Sequence, residues 1–196
     1  MKTILLATSN KDKFKIVKYL LQKANLTAPQ FQILSLKDIN YTGPDEKEHG
    51  TIAERAKAKA NSVAVNLPNR NDFDFIIGID DGIELKGIIR ENVKDHINKI
   101  LFENYLEENE SIIFPRAYHC ISKDNATFEI IAKIAYTYKP KAGLKVEPNS
   151  YPLSQVAVPL DSDKPLTEMD EQEANEYCWE CCKDEVNKLA NFILSH

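Results

Sequence analysis

Two adjacent carboxylates, Asp80 and Asp81, offer the clearest chemistry in the sequence. They follow the apolar run at residues 73–79, which shows no polar alternation after Asp74 and predicts a buried strand. Open α/β sheets place their sites at the carboxyl ends of strands. Because neighbours on a strand point opposite ways, one carboxylate could bind a divalent cation while the other orients or deprotonates a water. Together with Gly82 the pair is equally typical of a solvated hairpin turn, so the motif alone leaves both interpretations open.

A second candidate is the polar turn Thr8-Ser9-Asn10, followed by Lys13. The turn lies between an apolar strand at residues 3–7 and an amphipathic helix from residue 12. A helix start directs backbone N–H groups and about half a positive charge at one point, which suits a phosphate. The alternative is an ordinary strand-to-helix turn in which Ser9 or Asn10 serves as N-cap.

Two further carboxylates could supply a second ligand for a cation. Glu48 lies in an acidic loop, and Glu54 lies in the first turn of an Ala-rich helix, where it would also complement the helix dipole. His119 sits between Tyr118 and Cys120 in a strand, a pattern that favours a packed histidine over a base.

Three of the four cysteines lie at residues 178–182. No second Cys/His pair stands at zinc spacing, and the segment reads as the middle of a helix, so we expect reduced, structural thiols.

The elements that would position these side chains alternate along the chain. We predict helices at 12–24, 51–66, 91–107 and 171–194, and strands at 3–7, 30–35, 73–79, 83–85, 115–122, 127–138 and 155–159. This order indicates an α/β fold with α+β character around one central mixed sheet.

Length and composition exclude several classes of protein. The 196 residues suit one domain, 1–196, with 43% hydrophobic and 28% charged residues. A net charge of -5 without any Lys/Arg run argues against nucleic acid as a partner. No apolar run approaches the length of a signal peptide or a membrane span, so a cytoplasmic location is expected.

Collinear motifs make the chain resemble the inosine/xanthosine triphosphate pyrophosphatase family. The motifs lie at residues 4–13, 48–60, 80–85, 116–120 and 158–169. The resemblance implies a central mixed sheet flanked by helices, a cleft between two lobes, and a homodimer. It implies magnesium-dependent hydrolysis of a noncanonical purine nucleoside triphosphate to the monophosphate and pyrophosphate.

The resemblance also implies a role for individual residues. Thr8, Ser9, Asn10 and Lys13 would hold the triphosphate. Glu48 and Asp80 would serve the magnesium ion, and Asp81 would activate the attacking water.

The chain departs from the family pattern where the base would be read. In the base-recognition loop, only Tyr151 keeps a ring that could stack on a base. In addition, the Ser that the family has after the residue matching Asp81 is missing. Ala174 and the run Cys178-Trp179-Glu180 stand where the family has Lys and Ser-His-Arg. We expect Trp179 and Glu180 to contact the base, with Glu180 as a buried acceptor that favours an amino or N–H edge.

Three hypotheses follow. The first is a magnesium-dependent nucleoside triphosphate pyrophosphatase with altered base preference. The second is a member that binds nucleotide without turnover, which the missing Ser supports. The third is a pyrophosphatase of the septum-formation-inhibitor type, which the Ser9-Asn10 and Lys13 pattern fits poorly.

Overall fold

The secondary structure alternates between strands and helices in chain order. The structure is a computed structural model that describes residues 1–44, 49–90, 93, 100, 105–141 and 152–196. The strands are β1 Lys2–Ala7, β2 Phe31–Ser35, β3 Phe75–Asp81, β4 Ile83–Leu85, β5 Ile88–Arg90, β6 Ser111–Ser122, β7 Thr127–Tyr138 and β8 Ala157–Pro159. The helices are α1 Lys11–Lys23, α2 Ile52–Asn66 and α3 Glu171–Ser195.

The chain forms two compact units. The first contains Met1–Asp81, Arg116–Ala132 and Cys182–His196, and the second contains Gly82–Pro115 and Lys133–Cys181. The sequence prediction of a single domain, 1–196, stays a prediction.

The first unit is built on parallel strands with an antiparallel neighbour. β1 pairs in parallel with both β2 and β3, and β3 pairs antiparallel with β6. Because β1 and β3 run the same way, the turn after β1 and the last residues of β3 lie at the same edge of the sheet.

Helix α2 packs unusually close to β3. Ala56 and Ala60 are fully buried, and they face Gly78 of β3. A methyl group at position 78 would lie 2.7 Å from the Ala60 nitrogen and closer still to the Ala56 carbonyl oxygen. Only a glycine lets the helix backbone approach the strand this closely.

The second unit has its own apolar core and its own pairings. β4 pairs antiparallel with β5 and with the first part of β6, and β7 pairs antiparallel with β8. Its core includes Leu85, Ile112, Tyr136 and Tyr177. The Tyr136 and Tyr177 rings lie 5.3 Å apart, and the Tyr177 hydroxyl donates to the Ala135 carbonyl.

The mixed sheet and its three described helices confirm the predicted α/β fold class. The short strand β5 was not predicted. The helix expected at 91–107 lies mostly outside the described residues. No helix in the described ranges is long and apolar enough to cross a membrane.

Candidate functional site

The structure brings the two predicted clusters of the first unit together. Asp80 and Asp81 are the last residues of β3, and Thr8 follows β1, its parallel neighbour. Lys13, in the first turns of α1, places its Nζ 3.7 Å from Asp80 Oδ1 and 3.4 Å from Asp81 Oδ2.

Side chains in the turn after β1 accept hydrogen bonds from backbone N–H groups of the same segment. Asn10 is the N-cap of α1, and its Oδ1 accepts hydrogen bonds from the N–H groups of Asp12 and Lys13, both at 2.9 Å. Thr8 Oγ1 accepts from the Asn10 N–H at 3.2 Å. These three N–H groups therefore already have partners, and Asn10 serves as the N-cap, as the alternative interpretation of the turn predicted.

Asp80 is a buried carboxylate held between two cations. Its Oδ2 lies 2.6 Å from Arg55 Nε, and its Oδ1 lies 2.6 Å from Lys59 Nζ. Arg55 and Asp80 are each 3% exposed. Since an unpaired charge at such depth is costly, the two basic groups compensate the buried carboxylate of Asp80.

Asp81 forms a two-point ion pair with the neighbouring strand. Arg116, its register partner on β6, donates from Nε to Oδ1 at 2.7 Å and from its terminal nitrogen to Oδ2 at 3.1 Å. Burial raises the pKa of Asp81, but Arg116 and then Lys13 outweigh burial, so the pKa lies below its usual value. Asp81 is therefore a stably ionised carboxylate, ready to accept a hydrogen bond from water and weak as a proton acceptor.

A cavity of about 770 Å³ opens beside this network within the first unit. All four predicted triphosphate residues line it, namely Thr8, Ser9, Asn10 and Lys13. Lys59 and Ser62 of α2 line it as well, and the Ser62 hydroxyl is buried without a hydrogen-bond partner among the described residues. The cavity is large enough for a nucleotide-sized ligand.

The described carboxylates do not fit a resident divalent cation. All four oxygens of Asp80 and Asp81 already contact a lysine or arginine nitrogen. In the part of the chain that the structure describes, no three His, Cys, Asp or Glu side chains are grouped to hold a metal. Glu48, the other predicted ligand, lies outside the described residues.

Glu54, a candidate cation ligand, and His119, a candidate base, both have structural roles. Glu54 closes a capping box: its Oε2 accepts from the Thr51 N–H at 2.8 Å and from the Thr51 hydroxyl at 3.0 Å. His119 is 2% exposed and its Nδ1 lies 2.8 Å from Glu129 Oε1, as expected for a packed histidine. All four cysteines are free thiols, as predicted.

Of the residues predicted to contact the base, the structure describes Trp179 and Glu180, and both belong to the second unit. Tyr151 lies outside the described residues. Trp179 and Glu180 belong to the part of α3 that lies in the second unit, where Trp179 is partly buried and Glu180 is exposed. The expectation that Glu180 is a buried acceptor is therefore wrong.

Sequence reasoning missed the three basic partners of the carboxylates. Arg55 and Lys59 are four positions apart, so they share one face of α2, and this spacing was a usable signal. Arg116 lies opposite Asp81 only through the β3–β6 register, which the sequence does not reveal by itself.

Comparison with known proteins identifies the fold. No model of a protein family matches the sequence, and no curated protein sequence matches it either. Among solved structures, the chain is similar to a HAM1 protein from Coxiella burnetii, with 17% identity, full coverage of both chains and a TM-score of 0.69. It is similar to the Staphylococcus aureus Ham1 protein, with 17% identity, 99% coverage of both chains and a TM-score of 0.63.

A third match is a nucleoside-triphosphatase, a dITP/XTP pyrophosphatase, from Mycobacterium abscessus, with 12% identity and a TM-score of 0.54. It covers 98% of this chain and 96% of that one. The chain thus has the fold of the Ham1 proteins. Full-length similarity at low identity is consistent with a divergent member of the inosine/xanthosine triphosphate pyrophosphatase family, the resemblance drawn from the motifs.

Proposed function

We propose that this protein is a nucleoside triphosphate pyrophosphatase that hydrolyses a noncanonical or modified nucleotide to the monophosphate and pyrophosphate. The observation that carries the proposal is the meeting of Lys13 with Asp80 and Asp81 at one edge of the sheet, beside the cavity. The similarity in fold to the Mycobacterium abscessus dITP/XTP pyrophosphatase supports the same reaction class.

Each residue is given a role that its surroundings allow. Lys13 would bind the phosphates, while Thr8, Ser9 and Asn10 would shape the wall of the cavity around them. Asp81, held ionised, would orient the attacking water by accepting a hydrogen bond from it. Attack on phosphorus needs a positioned water and neutralised charge more than a covalent nucleophile.

Magnesium is part of the proposal because the motif resemblance implies it. Glu48 and Asp80 are the ligands so implied. Since both oxygens of Asp80 contact cations, no step of the hydrolysis is derived through a metal ion bound to it.

The base preference is proposed to differ from that of the family. Tyr151, Trp179 and Glu180 are the proposed base contacts, and Trp and Glu replace the basic donors that suit a 6-oxo purine. An exposed carboxylate can still accept from an amino group, although more weakly than a buried one.

A nucleotide-binding protein without turnover is the alternative, and one observation favours it. Arg116 occupies both oxygens of Asp81, so the group proposed to orient water is already engaged by a guanidinium.

Pyrophosphate release over a panel of nucleoside triphosphates, with magnesium present, tests the proposal. We expect release with at least one noncanonical or modified triphosphate, and a large loss in Asp81→Asn. Asp72→Asn, an exposed aspartate in the same unit, is the matched control and should keep wild-type activity. Binding without any release would support the alternative, and full activity in Asp81→Asn would remove Asp81 from the mechanism.

A specificity experiment tests the proposed base contacts. Glu180→Arg combined with Trp179→His should raise activity on inosine triphosphate relative to the preferred substrate. Asp184→Arg, an exposed charge reversal one turn farther along α3, should leave the ratio unchanged. If the double variant Glu180→Arg with Trp179→His leaves the ratio unchanged, this helix does not contact the base.

The remaining expectations concern assembly and partners. A homodimer is proposed, which sedimentation would reveal. A cytoplasmic location and the lack of a nucleic-acid partner are proposed with it, and binding assays with DNA and RNA would test the latter.

A further inference from the structure

Asp81 and Arg116 face each other because the β3–β6 register places them directly opposite. In an antiparallel pair such residues project their side chains from the same face of the sheet. Arg116 Nε donates to Asp81 Oδ1 at 2.7 Å, and a terminal nitrogen donates to Oδ2 at 3.1 Å. Two parallel bonds from a planar guanidinium fix the plane of the carboxylate, which a lysine ammonium could not do.

Arg116 is itself restrained on β6. Its side chain is only 13% exposed. It also acts on Tyr118, the next residue on the same face of the strand: burial raises the pKa of the Tyr118 hydroxyl, and the guanidinium opposes that rise. With neighbours on two sides and little access to water, the guanidinium is a stiff support for the carboxylate.

Asp81 keeps an open lone-pair site despite this ion pair. The two oxygens of a carboxylate offer about four such sites. Arg116 uses one on each oxygen, and Lys13 Nζ, 3.4 Å from Oδ2, uses a third. Counted over the described residues, one site on Oδ1 is left to accept a hydrogen bond from water. The Asp81 side chain is 28% exposed and that of Asp80 only 4%, so Asp81 is the carboxylate that water reaches.

We propose that Arg116 is a positioning residue for the hydrolysis, which fixes the Asp81 carboxylate so that its remaining lone-pair site is aimed at the attacking water. The inference deepens the proposed function and rests on it for the reaction. Since Arg116 acts through Asp81 and not on the substrate, its loss should lower kcat and leave KM nearly unchanged.

Steady-state kinetics with the preferred triphosphate tests this role. Arg116→Lys keeps the charge but loses the two-point contact, and should lower kcat about tenfold with KM within about twofold. Arg116→Gln should lower kcat about a hundredfold. Arg70→Lys is the matched control, because Arg70 makes a two-point contact elsewhere in the same unit, to the carbonyl oxygens of Phe73 and Ser122. It should lose stability and keep the wild-type kcat.

A double-mutant cycle tests whether Arg116 acts through Asp81. In an Asp81→Asn background, followed in single turnover with enzyme in excess, Arg116→Lys should cost less than about twofold, because the carboxylate that it positions is already gone. An equal loss in both backgrounds is what a merely structural role would give, and it overturns the inference. A higher KM in Arg116→Lys, which would mean direct binding of substrate, or a higher kcat, which would mean that the ion pair blocks Asp81, overturns it as well.

NMR relaxation of the Arg116 Nε–H group tests the pair without turnover. Its order parameter should be about 0.85 in the wild type and should fall in Asp81→Asn. A mobile Nε–H in the wild type refutes the role of Arg116 even if nucleotides are hydrolysed. If this group is rigid but the wild type releases no pyrophosphate from any nucleotide, the pyrophosphatase proposal fails, and the role of Arg116 fails with it. Hydrolysis with equal losses in the two backgrounds refutes the role of Arg116 alone.

Discussion

Replacing Gly78 by alanine tests the close packing that aligns α2 with the carboxylates. The new methyl group would lie 2.7 Å from the Ala60 nitrogen and 2.9 Å from the Ala60 Cβ, and closer than either to the Ala56 carbonyl oxygen. Real Cβ contacts essentially never fall below 3.0 Å, so the backbone must shift. The atoms in the way are helix backbone, which no rotamer change can move.

The expected destabilisation is about 2–3 kcal/mol. Overpacking a close-packed core costs about 1–3 kcal/mol, and a backbone obstruction places Gly78→Ala near the upper limit. Alanine recovers part of this cost, about 0.5 kcal/mol, because it loses less conformational freedom than glycine when the strand forms. With a urea m-value of about 2–3 kcal/mol/M, the unfolding midpoint should fall by about 1 M.

Gly87→Ala is the matched control for this experiment. It adds the same methyl group at a position with nothing within 4 Å, so its only cost is the positive φ of 76°. We expect a loss of about 1 kcal/mol there.

The double variant Gly78→Ala with Ala60→Gly adds a stricter test. It removes the Ala60 Cβ but leaves the Ala56 carbonyl in place, so the stability should not recover. An unchanged midpoint in Gly78→Ala, or a full rescue by Ala60→Gly, would refute the account of α2 packing.

Three further substitutions test other parts of the structure. Asn10→Ala removes the N-cap of α1 and should cost about 1 kcal/mol in urea unfolding, whereas an unchanged midpoint would contradict the capping role. Burial lowers the pKa of His119 below 6.5 although Glu129 raises it, so the unfolded chain takes up the proton first as the pH falls and stability is lost below pH 6.5. His119→Gln should therefore show a smaller loss of unfolding free energy across that range, and an identical pH dependence would count against a neutral buried imidazole. Tyr177→Phe removes the hydroxyl that donates to the Ala135 carbonyl while keeping the ring, and should cost about 1–2 kcal/mol; a neutral effect in thermal unfolding would show that the bond contributes nothing.

The secondary structure was largely predictable because its signals are local. β7 occupies Thr127–Tyr138, as the pattern predicted, and α1 runs Lys11–Lys23 where a helix was expected at 12–24. The strand that ends in Asp80 and Asp81 was recognised from its unbroken apolar run. Such periodicity depends on neighbours a few positions apart, which the sequence displays directly.

The ion pairs of the site could not be predicted in the same way. Lys59 meets Asp80 across 21 positions of sequence, and Arg116 meets Asp81 across 35. A lysine or arginine that neutralises a buried carboxylate looks, in sequence, like any surface charge. The exposure of Glu180 was missed for a related reason, because the face that a long helix buries depends on what packs against it.

The division of the chain has a practical consequence for engineering. The path passes from one unit to the other four times, between residues 81 and 82, 115 and 116, 132 and 133, and 181 and 182. Neither unit is therefore a continuous segment, and β6, β7 and α3 each contribute to both. No single truncation can yield the unit that contains Asp80 and Asp81 alone, so a minimal version of it would have to be spliced from three separate pieces of the gene.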